Sequence, residues 1–242
     1  MIGDYPGSDS EHSEFLRSVG FRWKNIAITN VIYNAAWEKR IMHIEPFGVE
    51  IWMNEWETRC EWNLAETCVE SITIRELLEL AGAEDEDLSD LLPMKMTYGD
   101  IEGSERLRRA IAALYDRQEM ANVVVTHGTI GANMLVHKTL VGRKDRVVAV
   151  VPTYQQHYSI PESIGANVRH LKLREDKAWL PDLDELRELA GPGTRLIAIN
   201  NPNNPTGSLM DYAMLEGIAD IARRVDAWVL GDEVYRLSLI HI

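Results

Sequence analysis

The chain has 242 residues, 45% of them hydrophobic, which suits one large α/β domain, or a domain and a half, with a sizeable core. Its 25 basic and 38 acidic side chains leave a formal charge of −13, which argues against nucleic acid or an anionic membrane as partner. No apolar run reaches about 18 residues and the start lacks an apolar signal core, so neither a membrane span nor a secretory leader is expected.

Residues 1–45 open with Gly3, Pro6, Gly7, Ser8, Asp9 and Ser10 and are expected to be an N-terminal segment with a flexible start. Residues 46–91 form a helical segment. There Val49, Trp52, Met53 and Trp56 fall at i, i+3, i+4, i+7, an amphipathic helix with Pro46 near its first turn. The two Trp are expected to pack in the core or a subunit interface. Cys60 and Cys68 have neither metal-ligand spacing nor a disulfide framework, which fits reduced thiols and a cytoplasmic setting. Ile74 to Leu80 is a second helix, and Glu84 to Asp87 is a solvated charge run.

Residues 92–242 carry the chemistry. Tyr98-Gly99-Asp100-Ile101-Glu102-Gly103 precedes a helix with Leu107, Ala110, Ile111 and Leu114 on one face. Val123 to Thr126 is a buried strand. His127-Gly128-Thr129-Ile130-Gly131 then leads into a helix carrying Ala132, Leu135, Val136 and Leu140. A glycine turn between strand and helix offers N–H groups and the positive end of a helix dipole, an anion site suited to a phosphate. The Gly-x-x-Gly spacing differs from the dinucleotide fingerprint and disfavours a nicotinamide enzyme. His127 is taken as a satisfied structural histidine. His137, His157 and His170 lack ligand spacing and receive no role.

Arg146 to Val151 is another uniformly apolar strand, followed by Pro152-Thr153-Tyr154, and Val168 to Leu173 is a further strand. Asp182 caps a helix that Gly191-Pro192-Gly193 ends. Arg195 to Ile199 is a buried strand, followed by Asn200-Asn201-Pro202-Asn203-Asn204-Pro205-Thr206-Gly207. Two X-Pro steps stiffen that loop and allow a cis bond. Met214, Leu215, Ile218, Ile221, Ala222 and Val225 stripe the next helix. Ala227 to Leu230 is a second buried strand, closed by Gly231-Asp232-Glu233-Val234-Tyr235. Both loops fall at the carboxyl ends of parallel strands, where open α/β sheets place ligands.

Together the two loops resemble the class I/II aminotransferases, the fold-type I enzymes dependent on pyridoxal 5'-phosphate (PLP). The resemblance runs from about Leu92 to Arg236, with motifs in the family's order. It implies a three-layer α/β fold, a mostly parallel sheet with helices on both faces. It also implies a reaction that moves an amino group between an amino acid and a 2-oxo acid, in a homodimer. By the same resemblance, Asp232 pairs with the cofactor's ring nitrogen, and Asn204 and Tyr235 bind its phenolic oxygen. Tyr154 stacks on the ring, the backbone of Thr129 and Ile130 holds the phosphate, and Tyr98 reaches the phosphate of the neighbouring subunit. Thr129, Tyr154, Asn204, Asp232 and Tyr235 are expected to ring one pocket of cofactor size.

Stretches around Thr126-His127-Gly128 and Pro152-Thr153-Tyr154 are similar to the branch that contains capreomycidine synthase. Elimination or cyclisation on the same fold is therefore an alternative, and a non-catalytic domain binding PLP or an amino acid is another. The family's Schiff-base lysine follows the Asp/Tyr block. The lysines here are Lys24, Lys39, Lys95, Lys138, Lys144, Lys172 and Lys177, all before Asp232. The chain is therefore expected to be truncated before that lysine and, as written, inactive.

Overall fold

In the computed structural model, which describes residues 43–65, 67, 71–82 and 93–237, four of the expected strands form. They are β1 (Arg146–Val151), β2 (Asn167–Lys172), β3 (Thr194–Asn200) and β4 (Trp228–Asp232), all parallel, in the order β2-β1-β3-β4. Seven α-helices flank them among the described residues: α1 (Gly48–Trp56), α2 (Ile74–Ala81), α3 (Glu105–Ala112), α4 (Gly128–Leu140), α5 (Gln156–Ile164), α6 (Leu183–Leu189) and α7 (Tyr212–Val225). None is long and apolar enough to cross a membrane.

Alternation along the strands makes two cores. Successive strand residues point to opposite faces. Val148 and Val150 of β1, with Ile197 and Ile199 of β3, therefore meet Leu186 of α6 and Ile218, Ile221 and Ala222 of α7. Val147 and Leu196 point the other way, into a smaller cluster with Val141, Leu140 and Ile164 at the ends of α4 and α5. The result is the expected three-layer α/β arrangement. Ile197→Val at a residue 1% exposed should cost about 0.5–1.5 kcal/mol, read as a lower urea midpoint at unchanged m-value.

Local signals set the helix ends. Thr73 and Glu76 form a capping box at α2, Asp182 accepts from the N–H groups of Asp184 and Glu185 at α6, and Asp211 accepts from Met214 N at α7. Gly82 and Gly165 adopt the left-handed conformation that closes α2 and α5.

Several expectations are corrected. Val123 to Thr126 is not a strand. A strand needs a neighbour, and among the described residues the only backbone bond at this stretch from outside its own turn is Val125 N to Glu102 O, leaving Val124 60% exposed. On α3 the buried residues are Arg108 and Ala112, not the apolar stripe, because Arg108 donates to the carbonyls of Val123 and Met120. On α4 the buried residues are Asn133 and His137, again not the apolar set. Trp228 and Val229 are exposed because β4 ends the strand order. Trp52 and Trp56 are also exposed, so neither is a core residue among the described ones. Met1 to Met42, the charge run Glu84 to Asp87 and the tail from Ser238 lie outside the described residues.

Candidate active site

The site grows from the carboxyl ends of β3 and β4, where Asn200 and Asp232 stand opposite each other in register. Both are buried. Asn200 Nδ2 donates to the Asp232 carbonyl (2.9 Å), and its Oδ1 accepts from Asn204 N (2.6 Å). One amide side chain thus ties the Asn/Pro loop to the end of β4. Asn203 Nδ2 donates to the Pro152 carbonyl (3.2 Å) and to Thr206 Oγ1 (2.9 Å), joining the same loop to the end of β1. The Asn201-Pro202 and Asn204-Pro205 bonds are cis, as the loop's composition allows, and so is Val151-Pro152. Asn204 Nδ2 donates to the Tyr235 hydroxyl (3.1 Å), so these two candidates are brought together. Thr67 Oγ1 lies 2.9 Å from the same hydroxyl.

Asp232 has its own shell. Oδ2 accepts from Asn133 Nδ2 (2.9 Å) and lies 3.1 Å from His157 Nε2, while Oδ1 accepts from Val234 N (3.1 Å). Burial pushes its pKa up, but the bonds from His157 and Asn133 outweigh burial and hold it below the usual carboxylate value. The group is therefore an anion at neutral pH. Among the described residues no lysine or arginine forms an ion pair with it. A carboxylate has room for about four hydrogen bonds, and three are filled.

Tyr154 lies against the N-terminal part of the chain. Its ring is 4.8 Å from that of Phe47, tilted by 54°. Burial and a hydrogen bond to the Glu50 carboxylate raise its pKa. The neighbouring Gln155 donates to the carbonyls of Glu45 and Pro46 and accepts from Gly48 N, so one side chain clasps the start of α1 beside Tyr154.

Thr129 and Ile130 form the first turn of α4, where backbone N–H groups lack intrahelical partners. Gly128 there has φ +68°, a conformation that favours glycine. The turn is tied to the rest: Gln156 of α5 donates to the Ile130 carbonyl (2.8 Å), and Asn133, one turn further along α4, holds Asp232. The first turn of α4 and Asp232 are thus linked through Asn133 and Gln156. Tyr98 is fully exposed and meets none of the other candidates. His127 is exposed and caps α4 without a side-chain bond, so it is not a satisfied structural histidine.

Neither of the two cavities described among these residues gathers the five candidates. The two described cavities, about 420 and 390 Å³, are lined by Leu114, Tyr115, Asn201, Glu233 and Arg236 in one case and by Trp52, Trp56 and Trp62 in the other. Asp232 is buried while Ile130 is half-exposed and Tyr98 projects freely.

Asn133, His157, Asn200 and Thr67 were not singled out by the sequence. The first two had a legible signal. Asn133 and His137 are polar residues spaced i, i+4 on a mostly apolar helix, and His157 lies one helical turn past Tyr154.

Residues 81–238, well over half of the chain, match the aminotransferase class I and II family. The chain belongs to that family. It is 34% identical over 138 residues to an aspartate aminotransferase of Pyrococcus horikoshii, covering 55% of this chain and 35% of that protein. It is 30% identical over 195 residues to capreomycidine synthase of Streptomyces vinaceus, covering 80% and 49%. A PLP-dependent aminotransferase from Streptococcus suis 89-1591 superposes with a TM-score of 0.77 at 41% identity, covering 79% of this chain and 52% of that one. The chain spans about half the length, or less, of the curated relatives it matches.

As a class I and II aminotransferase chain it has residues that suit PLP. Asp232 is a buried anion with spare acceptor capacity, matched to a protonated ring nitrogen. The Asn204–Tyr235 pair presents polar hydrogens on one side, and the α4 turn presents N–H groups to a phosphate. Tyr235→Phe takes the partner from Asn204 Nδ2, and a roughly three- to tenfold weaker Kd for PLP is expected by fluorescence titration.

Proposed function

We propose that this chain is the PLP-binding part of an aminotransferase that moves an amino group between an amino acid and a 2-oxo acid. The observation that carries the reading is the buried Asp232 carboxylate, bonded by Asn133 and Val234 with His157 Nε2 at 3.1 Å, three residues from Tyr235, which pairs with Asn204. Bound PLP supplies an electron-withdrawing ring that makes the α-hydrogen of an amino acid acidic. The chain's residues bind and orient around that chemistry. Asp232 holds the hydrogen at the ring nitrogen, Asn204 and Tyr235 bind the phenolic oxygen, and Tyr154 packs against the ring. The N–H groups of Thr129 and Ile130 bind the phosphate. The family membership and the relatives named as aminotransferases support the activity.

The relative named capreomycidine synthase supports a second reading, cyclisation on the same site, since it matches 80% of the chain. The homodimer is supported by the projecting Tyr98 and the exposed Trp52 and Trp56, and the cytoplasmic setting by composition. Because every lysine precedes Asp232, the 242-residue polypeptide alone is expected to bind PLP without transferring amino groups. The test uses the longest reading frame containing this sequence, loaded with PLP and given amino acids with labelled 2-oxo acids. Label appearing in new amino acids supports transfer, and a cyclic product supports the second reading. Neither, in a folded PLP-loaded protein, overturns both.

A further inference from the structure

The polar layer behind Asp232 contains one side chain without a task. His137 is fully buried, and neither ring nitrogen has a hydrogen-bond partner. It stands one turn after Asn133 on α4, so the helix turns both side chains toward the same region. Its ring is edge-on to that of His157, with centroids 6.0 Å apart. His157 is itself fully buried, with Nε2 facing Asp232 Oδ2 at 3.1 Å and Nδ1 without a partner. Buried polar atoms rarely go unpaired, and one bond between the two adjacent imidazoles would pair two of these three nitrogens. With the centroids 6.0 Å apart, a shift of the two rings toward each other by about 1 Å or less, with rotation, brings one nitrogen of each within bonding distance.

We propose that His137 is a positioning residue for the Asp232 carboxylate: its ring N–H donates to His157 Nδ1, and His157 Nε2–H donates in turn to Asp232 Oδ2. The reason lies in hydrogen accounting. An ionised carboxylate only accepts, so the hydrogen between the pair sits on His157 Nε2. Asp232 becomes neutral within the pair by taking that hydrogen while His157 gains one at Nδ1. A donor at His137 opposes this, because two N–H groups would then face each other. The line of donors also polarises the Nε2–H toward the carboxylate. The titratable groups facing His157 are Asp232 from β4 and His137 from α4. Burial first, and His157 second, lower the His137 pKa to about 4, so His137 is neutral at pH 7.

The catalytic meaning of this line rests on the proposed role of Asp232, but the hydrogen bonds do not. The test is therefore made on the PLP-free 242-residue chain. Labelling with ¹⁵N-histidine and ¹³C-aspartate lets NMR read the His157 tautomer and the Asp232 titration. The wild type should show His157 with hydrogen on Nε2 and a hydrogen-bonded, hydrogen-free Nδ1. In His137→Phe the Asp232 midpoint should rise by about one pH unit. His137→Gln, whose amide still donates, should restore the wild-type midpoint. Hydrogen on His157 Nδ1 in the wild type, or an unchanged Asp232 midpoint in folded His137→Phe, overturns the proposal. Should His137→Phe fail to fold, the wild-type spectrum alone decides. A chain that binds no PLP would sink the proposed function and leave this measurement intact.

Discussion

Asp232→Ala is expected to produce the largest functional loss of any single substitution at the site. The carboxylate accepts from Asn133, His157 and Val234, and its removal strips a buried amide and a buried ring of their shared partner. Leaving buried donors unsatisfied costs about 1–3 kcal/mol, so the apo-protein should lose that much stability in urea. The N–H groups of Thr129 and Ile130 in the first turn of α4 do not bond to Asp232, nor does the Asn204–Tyr235 pair. PLP affinity should accordingly fall by less than about tenfold. In the PLP-loaded protein made from the longest reading frame containing this sequence, turnover should fall by up to about two orders of magnitude, because the charge-assisted bond to the ring nitrogen matters most as charge develops. Asp232→Asn separates the two effects: it keeps the shape and loses the charge, so stability should recover more than turnover. Equal turnover in Asp232→Ala would make the carboxylate purely structural.

The second large effect is an acid-side loss of stability set by His137. Its folded pKa is lowered to about 4 from 6.5, chiefly by burial. Between those values the unfolded chain binds more protons than the folded one, so stability rises with pH in that window. The contribution is fully present above about pH 6.5 and is lost as pH falls through about 4, amounting to of order 3 kcal/mol. The lowered carboxylates act further down. Asp182, held to about 2 by Lys177 and by the N–H groups of Glu185 and Asp184, loses its contribution only below its ordinary 3.8. Urea titrations from pH 7.5 to 4.5 should show the slope in the wild type and a flatter profile in His137→Phe. A wild-type profile flat across this window would show that His137 is not held neutral by the fold.

Much of the fold was legible because apolar periodicity maps directly onto packing. The run from Arg195 to Ile199 became β3, and the stripe Ile218, Ile221 and Ala222 became the buried face of α7. The end of β3 and the Asp232 block were legible because the two loops together, each after an apolar strand, matched the family's order, which neither loop alone would do. Where expectation and structure part, apolar character was taken to mean burial. Leu107, Val124, Trp52 and Trp228 are apolar yet exposed among the described residues, because no described element covers them. Asn133, His137 and His157 show the converse. Asn133 and His157 are buried because they partner Asp232, and the His137 ring packs edge-on against His157; a helical apolar template passes over all three.

The most direct measurement of the central claim concerns the ring nitrogen of bound PLP. PLP labelled with ¹⁵N in the ring is bound to the 242-residue chain and its nitrogen followed by NMR at pH 7.5. Asp232 at the ring nitrogen predicts a protonated signal in the wild type and an unprotonated one in Asp232→Ala, with PLP still bound in both. A nitrogen that stays unprotonated in the wild type, or stays protonated in Asp232→Ala, would contradict the assignment of Asp232 and with it the reading of the site.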